Sequence, residues 1–265
     1  MKLLMAATAF LTRAPLPARW NFSAQEIGRA TVFFPLVGAG LGACAAAILW
    51  ILQRFSLVDL PDDTVSRGLT PLVVAVILVA FWAWATGALH LDGLADMADG
   101  FGGGHTRADV LRIMRDHVIG AYGGVALVLV GVLKVAAIAA LIERGHAWAP
   151  LILAPALARW ASVALGFFLP YARREETETH KVAGGMGLAV TDYVRVFEIV
   201  GATIIAAILT YALAGFGGFA LWIAPIIVSV LNARLCLRRI GGITGDTMGA
   251  NSEVVEACVL VAALL

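Results

Sequence analysis

The chain has 265 residues, of which 61% are hydrophobic and 14% are charged, and its mean hydropathy is +0.90. These values exceed what a water-soluble domain carries and indicate an integral membrane protein surrounded by membrane lipid. With 19 Lys and Arg against 18 Asp and Glu, the formal net charge is +1. No global basic field attracts nucleic acid, so we expect no nucleic-acid partner.

Runs of about 20 apolar residues predict helices that cross the bilayer, because each helical residue rises about 1.5 Å across a core about 30 Å thick. The chain opens on a short apolar segment that we expect to lie at the membrane interface. We predict an all-α, polytopic membrane helical bundle of about seven transmembrane helices plus short interfacial helices, with residues 1–265 forming a single integral-membrane domain. The predicted spans, of which the last is short, are residues 31–53, 70–91, 120–142, 148–170, 194–214, 216–236 and 251–265.

The positive charges of the loops predict the orientation of the bundle. With the N-terminus inside, fourteen of the 19 Lys and Arg residues fall in cytoplasmic segments. The two longest connections, residues 92–119 and 171–193, then face the cytoplasm. Within the second connection, we expect residues 173–187 to cover or contact a substrate, because charges alternate there with glycines.

An acidic cluster follows the second predicted span. The segment HLDGLADMADGFGGG, residues 90–104, places Asp92, Asp96 and Asp99 at spacings of four and three. On a helix these carboxylates share one face and repel one another unless a cation lies between them. Hard oxygen ligands suit Mg²⁺ or Mn²⁺, which bind through a few carboxylates plus substrate phosphates. We therefore predict a metal site here; the alternative is an acidic helix end that faces solvent.

A second polar segment, GGITGDTMGANSEVVE at residues 241–256, follows the sixth predicted span on the same side of the membrane. A helix that starts near Asp246 would place Asp246 and Glu253 on one face, with Asn251 nearby. We predict that this segment meets the first acidic cluster in one site. The alternative is an ordinary helix start with an N-cap aspartate.

Several cations are candidates for phosphate contact. Lys134 and Arg159 lie within predicted spans, where charge is costly and is expected to face the bundle interior. We assign their counter-charge to a substrate phosphate or to the aspartate cluster; for Lys134, snorkelling to the interface is the alternative. Residues 106–116 predict a capped surface helix, whose Arg112 and Arg115 either contact phosphate or face solvent.

At these residues the sequence resembles the cobalamin synthase family, the adenosylcobinamide-GDP ribazoletransferases of the late cobamide pathway. The resemblance covers essentially the whole chain, and the Asp-rich motif is its most specific part. It rests on FLTRAPLP (residues 10–17), FFPLVGAGLG (33–42), GALHLDGLADMADGFGGG (87–104), IMRDHVIGAYGG (113–124) with Lys134 downstream, the region of Arg159, and GGITGDTMGANSE (241–253).

The resemblance implies a Mg²⁺-dependent transferase of substituted phosphate groups in the bacterial cytoplasmic (inner) membrane, with its active site facing the cytoplasm. A ribose hydroxyl of α-ribazole, or of its 5′-phosphate, attacks the cobinamide-side phosphorus of adenosylcobinamide-GDP. GMP leaves, and adenosylcobalamin or its 5′-phosphate forms. The implied partners are these substrates, and the resemblance leaves open a homo-oligomer or association with other late cobamide-pathway enzymes.

The resemblance also assigns roles to the candidate residues. The implied metal ligands are Asp92, Asp96, Asp99, Asp246 and Glu253. The catalytic candidates are Asp92, Asp96, Asp99, His90 and Asp246, and either an aspartate or His90 takes the hydroxyl proton. The substrate-binding candidates are Lys134, Arg159, Arg112, Arg115, Asn251, Gly103 and Gly104.

Three other classes of membrane protein use similar residues. A CDP-alcohol phosphotransferase carries an Asp-rich motif on a membrane helix, but its DG-x-x-A-R element is not matched by DGLADMADG. A prenyltransferase would act on a prenyl diphosphate, but its NDxxD signature is absent. A transporter would place its charges near the membrane midplane, whereas most acidic residues here lie at one predicted edge.

Overall fold

The computed structural model describes residues 1–15, 20–55, 57, 69–116, 118–174 and 186–265. Most of these residues lie in helices, and the others form turns and loops, with an isolated bridge between Tyr171 and Ile243. The α-helices are α1 (Lys2–Leu11), α2 (Ala24–Ala30), α3 (Phe34–Arg54), α4 (Pro71–Thr86), α5 (Leu89–Gly103), α6 (Arg107–Ile113), α7 (Ala121–Glu143), α8 (Trp148–Phe168), α9 (Met186–Tyr193), α10 (Val196–Ala214), α11 (Ile223–Ile240) and α12 (Gly245–Ala262), with 3₁₀ turns at Thr31–Phe33 and Phe216–Trp222.

Local signals set many helix starts. Thr70 caps α4 by accepting a hydrogen bond from the Val73 amide, and Pro71 occupies the first turn, where no amide is needed. Thr106 and Asp109 form a reciprocal capping box at α6, as the sequence predicts for this surface helix.

Five stretches in the described part of the chain are long and apolar enough to cross a membrane, and six if the bent pair α4–α5 counts as one span. The predicted polytopic helical bundle is therefore confirmed, whereas the count of seven is not. Apolar side chains on α7 and α10 remain exposed, as expected of lipid-facing surfaces. They include Val128, Leu129, Val132, Ile204 and Ile208.

The second predicted span, residues 70–91, is wrong as a single straight helix. Gly87 and Ala88 adopt left-handed backbone angles, with φ of 66° and 58°, and α5 leaves α4 at an angle of 91°. The break separates the apolar α4 from the acidic α5. It also explains why the aspartates lie on their own helix.

The last predicted span begins earlier than residue 251 and is not one of the apolar stretches. Helix α12 starts at Gly245 and is buried over most of its length, packed against α5, α7, α8 and α11. It carries Asp246, Glu253 and Glu256. A helix with three acidic residues can lie inside the bundle because its neighbours supply partners for them.

Candidate active site

The two acidic segments come together because glycines let α5 and α12 approach closely. A Cβ atom on Gly93 would lie 2.6 Å from the backbone oxygen of Asp246, and one on Gly249 would lie 3.2 Å from the Cα atom of His90. Since neither glycine carries a side chain, the start of α12 rests directly on the first turns of α5. The structure thus brings together the two predicted halves of the site.

A cavity of about 140 Å³ opens at this contact. Asp92 and His90 of α5 line it together with Asp246 of α12. Arg173 and Tyr171 line it from the segment that follows α8, and apolar side chains of α1 and α3 line it as well. The Asp92 side chain is exposed and that of Asp246 is half-buried. Acidic and basic groups therefore face one solvent-accessible pocket.

Several charged side chains around this cavity interact with one another. Asp96 interacts electrostatically with Asp92, Asp246 and Asp99, all of which oppose its negative charge. Burial raises the pKa of Asp246 above its ordinary value, against the effect of Arg173, whose guanidinium lies 3.4 Å from the Asp246 carboxylate. Such a concentration of carboxylates favours binding of a cation or of a positively charged group.

Asp99 has a different environment from the other two aspartates of α5. Its carboxylate accepts hydrogen bonds from the backbone amides of Gly120, at 2.7 Å, and Gly123, at 2.9 Å. These amides belong to the start of α7, so Asp99 caps that helix from outside. A Cβ atom on Gly123 would overlap this carboxylate. Asp99 thus joins α5 to α7.

The described residues contain no group of three or more His, Cys, Asp or Glu side chains arranged to hold a metal ion by themselves. Asp92, Asp96 and Asp246 still form a donor set of the type that Mg²⁺ uses, since this ion binds through one or two carboxylates and takes its other ligands from water and substrate phosphates. These three carboxylates fit Mg²⁺ only when water and substrate phosphates supply its other ligands. Of the two remaining predicted ligands, Asp99 accepts hydrogen bonds from the start of α7 and Glu253 pairs with Lys134.

Lys134 and Arg159 find their counter-charges within the protein, contrary to the assignment of substrate phosphate or the aspartate cluster. The Lys134 ammonium lies 2.5 Å from carboxylate oxygens of both Glu253 and Glu256. Arg159 pairs with Glu256 as well. All four side chains are buried, so two cations and two anions neutralise one another inside the bundle.

His90 connects this buried network to the cavity. Its Nδ1 atom lies 3.2 Å from the Arg159 guanidinium. Because a guanidinium can only donate, Nδ1 must accept this hydrogen bond, and the neutral ring then carries its proton on Nε2. Protonation of Nδ1 would place two donors against each other beside a buried arginine. His90 is therefore suited to donate a hydrogen bond in the cavity and unsuited to remove a proton.

The other predicted substrate contacts lie around the cavity or away from it. Arg115 is exposed and close enough to Asp246 to oppose the rise of its pKa. Arg112 is exposed on α6. Asn251 donates to Ser229 and accepts from Asn232, both on α11, so its amide is engaged inside the helix packing.

Gly103 and Gly104 end α5. Gly103 is exposed, whereas Gly104 is buried. The Gly104 carbonyl accepts a hydrogen bond of 2.7 Å from Arg239, and a Cβ atom at this position would lie 2.7 Å from the Val110 amide nitrogen. Close packing between α5 and α6 accounts for Gly104.

Tyr171 was not among the predicted site residues, and Arg173 was predicted only as the first residue of the covering segment 173–187. The segment 170–172 reaches the cavity because it pairs with Ile243: the Ala172 amide donates to the Ile243 carbonyl at 2.8 Å, and the Ile243 amide donates to the Pro170 carbonyl at 2.9 Å. A Cβ atom on Gly242 would lie 2.4 Å from the Pro170 oxygen. The signal in the sequence is the Gly-Gly pair, which permits this approach. Most of the predicted covering segment, residues 175–185, lies outside the described residues.

The protein is a helical membrane protein with an acidic cavity where two glycine-containing helices meet. Because a histidine and an arginine also line the cavity, it is suited to bind a cation together with a phosphate compound. The sequence matches the family described as cobalamin-5-phosphate synthase over residues 3–264. Its curated relatives include proteins named adenosylcobinamide-GDP ribazoletransferase. One from Syntrophobacter fumaroxidans is 38% identical, over 97% of this chain and 96% of the relative. One from Pseudomonas aeruginosa is 37% identical, over 100% of this chain and 98% of the relative.

The chain therefore belongs to the cobalamin-5-phosphate synthase family. It is a transferase of cobalamin biosynthesis, as the Asp-rich motif and its companion segments predict. None of the three alternative classes is the family that matches. No solved structure matches the chain.

Proposed function

We propose that the protein joins adenosylcobinamide-GDP to α-ribazole, or to its 5′-phosphate, and releases GMP. The observation that carries the proposal is the cavity where Asp92 and Asp246 face Arg173 and His90. The carboxylates match a pyrophosphate substrate through a cation held between them, which would supply counter-charge, and Arg173 and His90 supply hydrogen bonds to its oxygens. Cytoplasmic placement of this cavity in the inner membrane is part of the proposal and rests on the distribution of loop cations.

Asp92 and Asp96, with Asp246 beside them, would hold Mg²⁺ together with substrate phosphates. When bound, the ion neutralises charge that develops on the pyrophosphate as GMP leaves. Arg173 and the Nε2–H of His90 orient phosphate oxygens at the cavity wall. A carboxylate of the cavity accepts the proton of the ribazole hydroxyl, since His90 is held as a donor by Arg159. The apolar side chains of α1 and α3 limit the access of water to the phosphorus.

The reaction is tested with purified protein in lipid, adenosylcobinamide-GDP, α-ribazole and Mg²⁺, by measuring GMP and the complete corrinoid. We expect GMP release to require ribazole and to stop when EDTA removes the ion. Asp92→Asn should lower the rate at least about 100-fold, the equivalent of about 3 kcal/mol of transition-state stabilisation. Glu143→Gln, which changes an exposed carboxylate at the far end of α7, is the matched control.

Release of GMP at an unchanged rate without ribazole would show a hydrolase and refute the proposal. Turnover that persists in EDTA would show that the reaction does not require Mg²⁺. Loss of activity in Glu143→Gln as large as in Asp92→Asn would show that the effect is not specific to the cavity.

A further inference from the structure

A second cavity, on the opposite face of α5 from the aspartates, has no role in the proposed reaction. It is an apolar groove of about 380 Å³ between α5, α11 and α12, which we call the α5–α11 groove. Leu94, Met97 and Phe101 line it from α5, and Leu231 and Leu235 line it from α11. Leu231 and Leu235 are 58% and 41% exposed. The groove is thus open to the surroundings of the bundle.

The polar groups at the bottom of this groove already have partners. Asn232 donates to the Thr247 carbonyl at 3.0 Å and to Asn251 at 3.3 Å. Asn251 donates in turn to Ser229 at 3.1 Å. Because these amides are satisfied, the groove offers an occupant apolar contact and no unused hydrogen bond along its length. A hydrocarbon chain fits such a surface better than a polar metabolite.

The groove ends in a basic group. On a helix, Arg238 and Arg239 follow Leu235 by three and four residues, so they continue the face that lines the groove. The Arg239 guanidinium lies 5.6 Å from the ring centroid of Phe101 and donates to the Gly104 carbonyl. Arg238 is exposed. No residue that lines the groove is acidic.

A neighbouring groove on the other side of α11 provides an internal comparison. It measures about 480 Å³ and is lined by Trp160, Phe168 and, from α11, Val230 and Ala233. The positions that continue its α11 face, three and four residues after Ala233, are Cys236 and Leu237. One helix therefore borders two apolar grooves. Three and four residues beyond the last lining residue on α11, the α5–α11 groove has two arginines and the comparison groove has none.

We propose that the α5–α11 groove binds an anionic phospholipid, with an acyl chain along Leu231 and Leu235 and the headgroup phosphate at Arg238 and Arg239. Long apolar contact with two cations at one end matches a lipid that has a hydrocarbon tail and a net negative head. The lipid would lie against the back of α5, whose opposite face carries the aspartates. Binding would therefore support the helix that positions the acidic cavity.

Tryptophan reporters at two adjacent positions on α11 can distinguish lipid binding in the two grooves. Leu231→Trp places a fluorophore in the α5–α11 groove, and Val230→Trp places one in the comparison groove. Each variant is reconstituted with brominated phosphatidylglycerol or with brominated phosphatidylcholine of the same chains, and quenching is measured relative to the parent protein. We expect preferential quenching by phosphatidylglycerol at Leu231→Trp only. No substrate is present, so the result is independent of the proposed reaction.

Arginine variants test the headgroup contact in the Leu231→Trp background. Arg238→Gln and Arg239→Gln should each weaken the preference about fivefold, the equivalent of about 1 kcal/mol for a cation near an anionic surface. Arg239→Gln keeps a donor for the Gly104 carbonyl, and Arg238→Gln serves if Arg239→Gln does not fold. Arg29→Gln, an exposed position on α2 that lines neither groove, is the control. Equal quenching by both lipids, or an equal effect of Arg29→Gln, would overturn the proposal.

Discussion

Asp92 and Asp99 occupy the same face of α5 but have different environments. The sequence presents them as equivalent members of one cluster, because spacing alone shows the face and not the partner. The amides that Asp99 caps lie more than 20 residues further along the chain. The sequence does not indicate that the start of α7 packs against α5 at this position.

Substitution of these two aspartates should separate activity from stability. Asp99→Ala removes two hydrogen bonds from the start of α7 and should lower the free energy of unfolding by about 1–2 kcal/mol. Asp92→Ala relieves repulsion in the acidic cavity, so it should leave stability unchanged or higher while it abolishes GMP release. Denaturant unfolding and the transferase assay on the same preparations measure both effects. Equal stability of the two variants would contradict the capping role of Asp99.

His90 provides a second test at the scale of a single side chain. Asn can accept the hydrogen bond of Arg159 in the place of Nδ1 but has nothing in the place of Nε2, whereas the longer Gln carries its amide near the Nε2 position. If His90 donates to substrate, His90→Gln should retain about tenfold more activity than His90→Asn. Comparison of kcat for the two variants, each shown to be folded, decides. Equally low activities in His90→Gln and His90→Asn would instead favour His90 as the proton acceptor.

The ion pairs of Lys134 show where inference from sequence ends. Intramembrane position correctly predicts that Lys134 and Arg159 face the interior, because lipid would not stabilise their charge. Their partners, Glu253 and Glu256, lie more than 90 residues away. The spacing of three between the glutamates was a usable signal, since it places both on one face of α12. Nothing in the sequence indicated which cations face them.

At the scale of elements, hydropathy merged α4 with the start of α5. Leu89 and Leu91 continue the apolar run beyond Thr86, so composition indicates one helix through residues 70–91. Gly87 was the local signal for a break, because it adopts the left-handed conformation that ends α4. The meeting of α5 and α12, by contrast, was predicted from shared charge and shared loop orientation.

Close contact between α5 and α12 should depend on Gly93. Gly93→Ala would push the added Cβ atom into the backbone of Asp246, 2.6 Å away, and should cost about 1–3 kcal/mol of stability. The variant should also lose activity, since Asp246 would move relative to Asp92. Gly40→Ala on α3, where an added Cβ atom meets nothing within 4 Å, is the matched control.

Thermal unfolding and GMP release measured on both glycine variants check this prediction. The control should be as stable as the parent or slightly more so, because alanine restricts the unfolded chain. Parent-like activity and stability in Gly93→Ala would show that the two helices can separate without consequence, and that the acidic cavity does not require this contact.

At the scale of the whole molecule, the contact between α5 and α12 requires their acidic segments to lie on one side of the membrane. The remaining question is which side. Fourteen of the 19 Lys and Arg residues fall in segments that share this side, and loops rich in cations remain cytoplasmic. We therefore expect the end of α5, the segment at Arg174 and the start of α12 to face the cytoplasm.

Single cysteines in a background without Cys44, Cys236 and Cys258 test this orientation. Gly103→Cys and Arg174→Cys lie at exposed positions on the predicted cytoplasmic side, and His146→Cys lies after α7 on the other side. In intact cells, a membrane-impermeant maleimide should label only His146→Cys, and all three should react after the membrane is opened. Since α7 joins the two sides, labelling of Gly103→Cys from outside would invert the bundle. That result would place the acidic cavity away from cytoplasmic nucleotides and contradict the proposed transferase orientation.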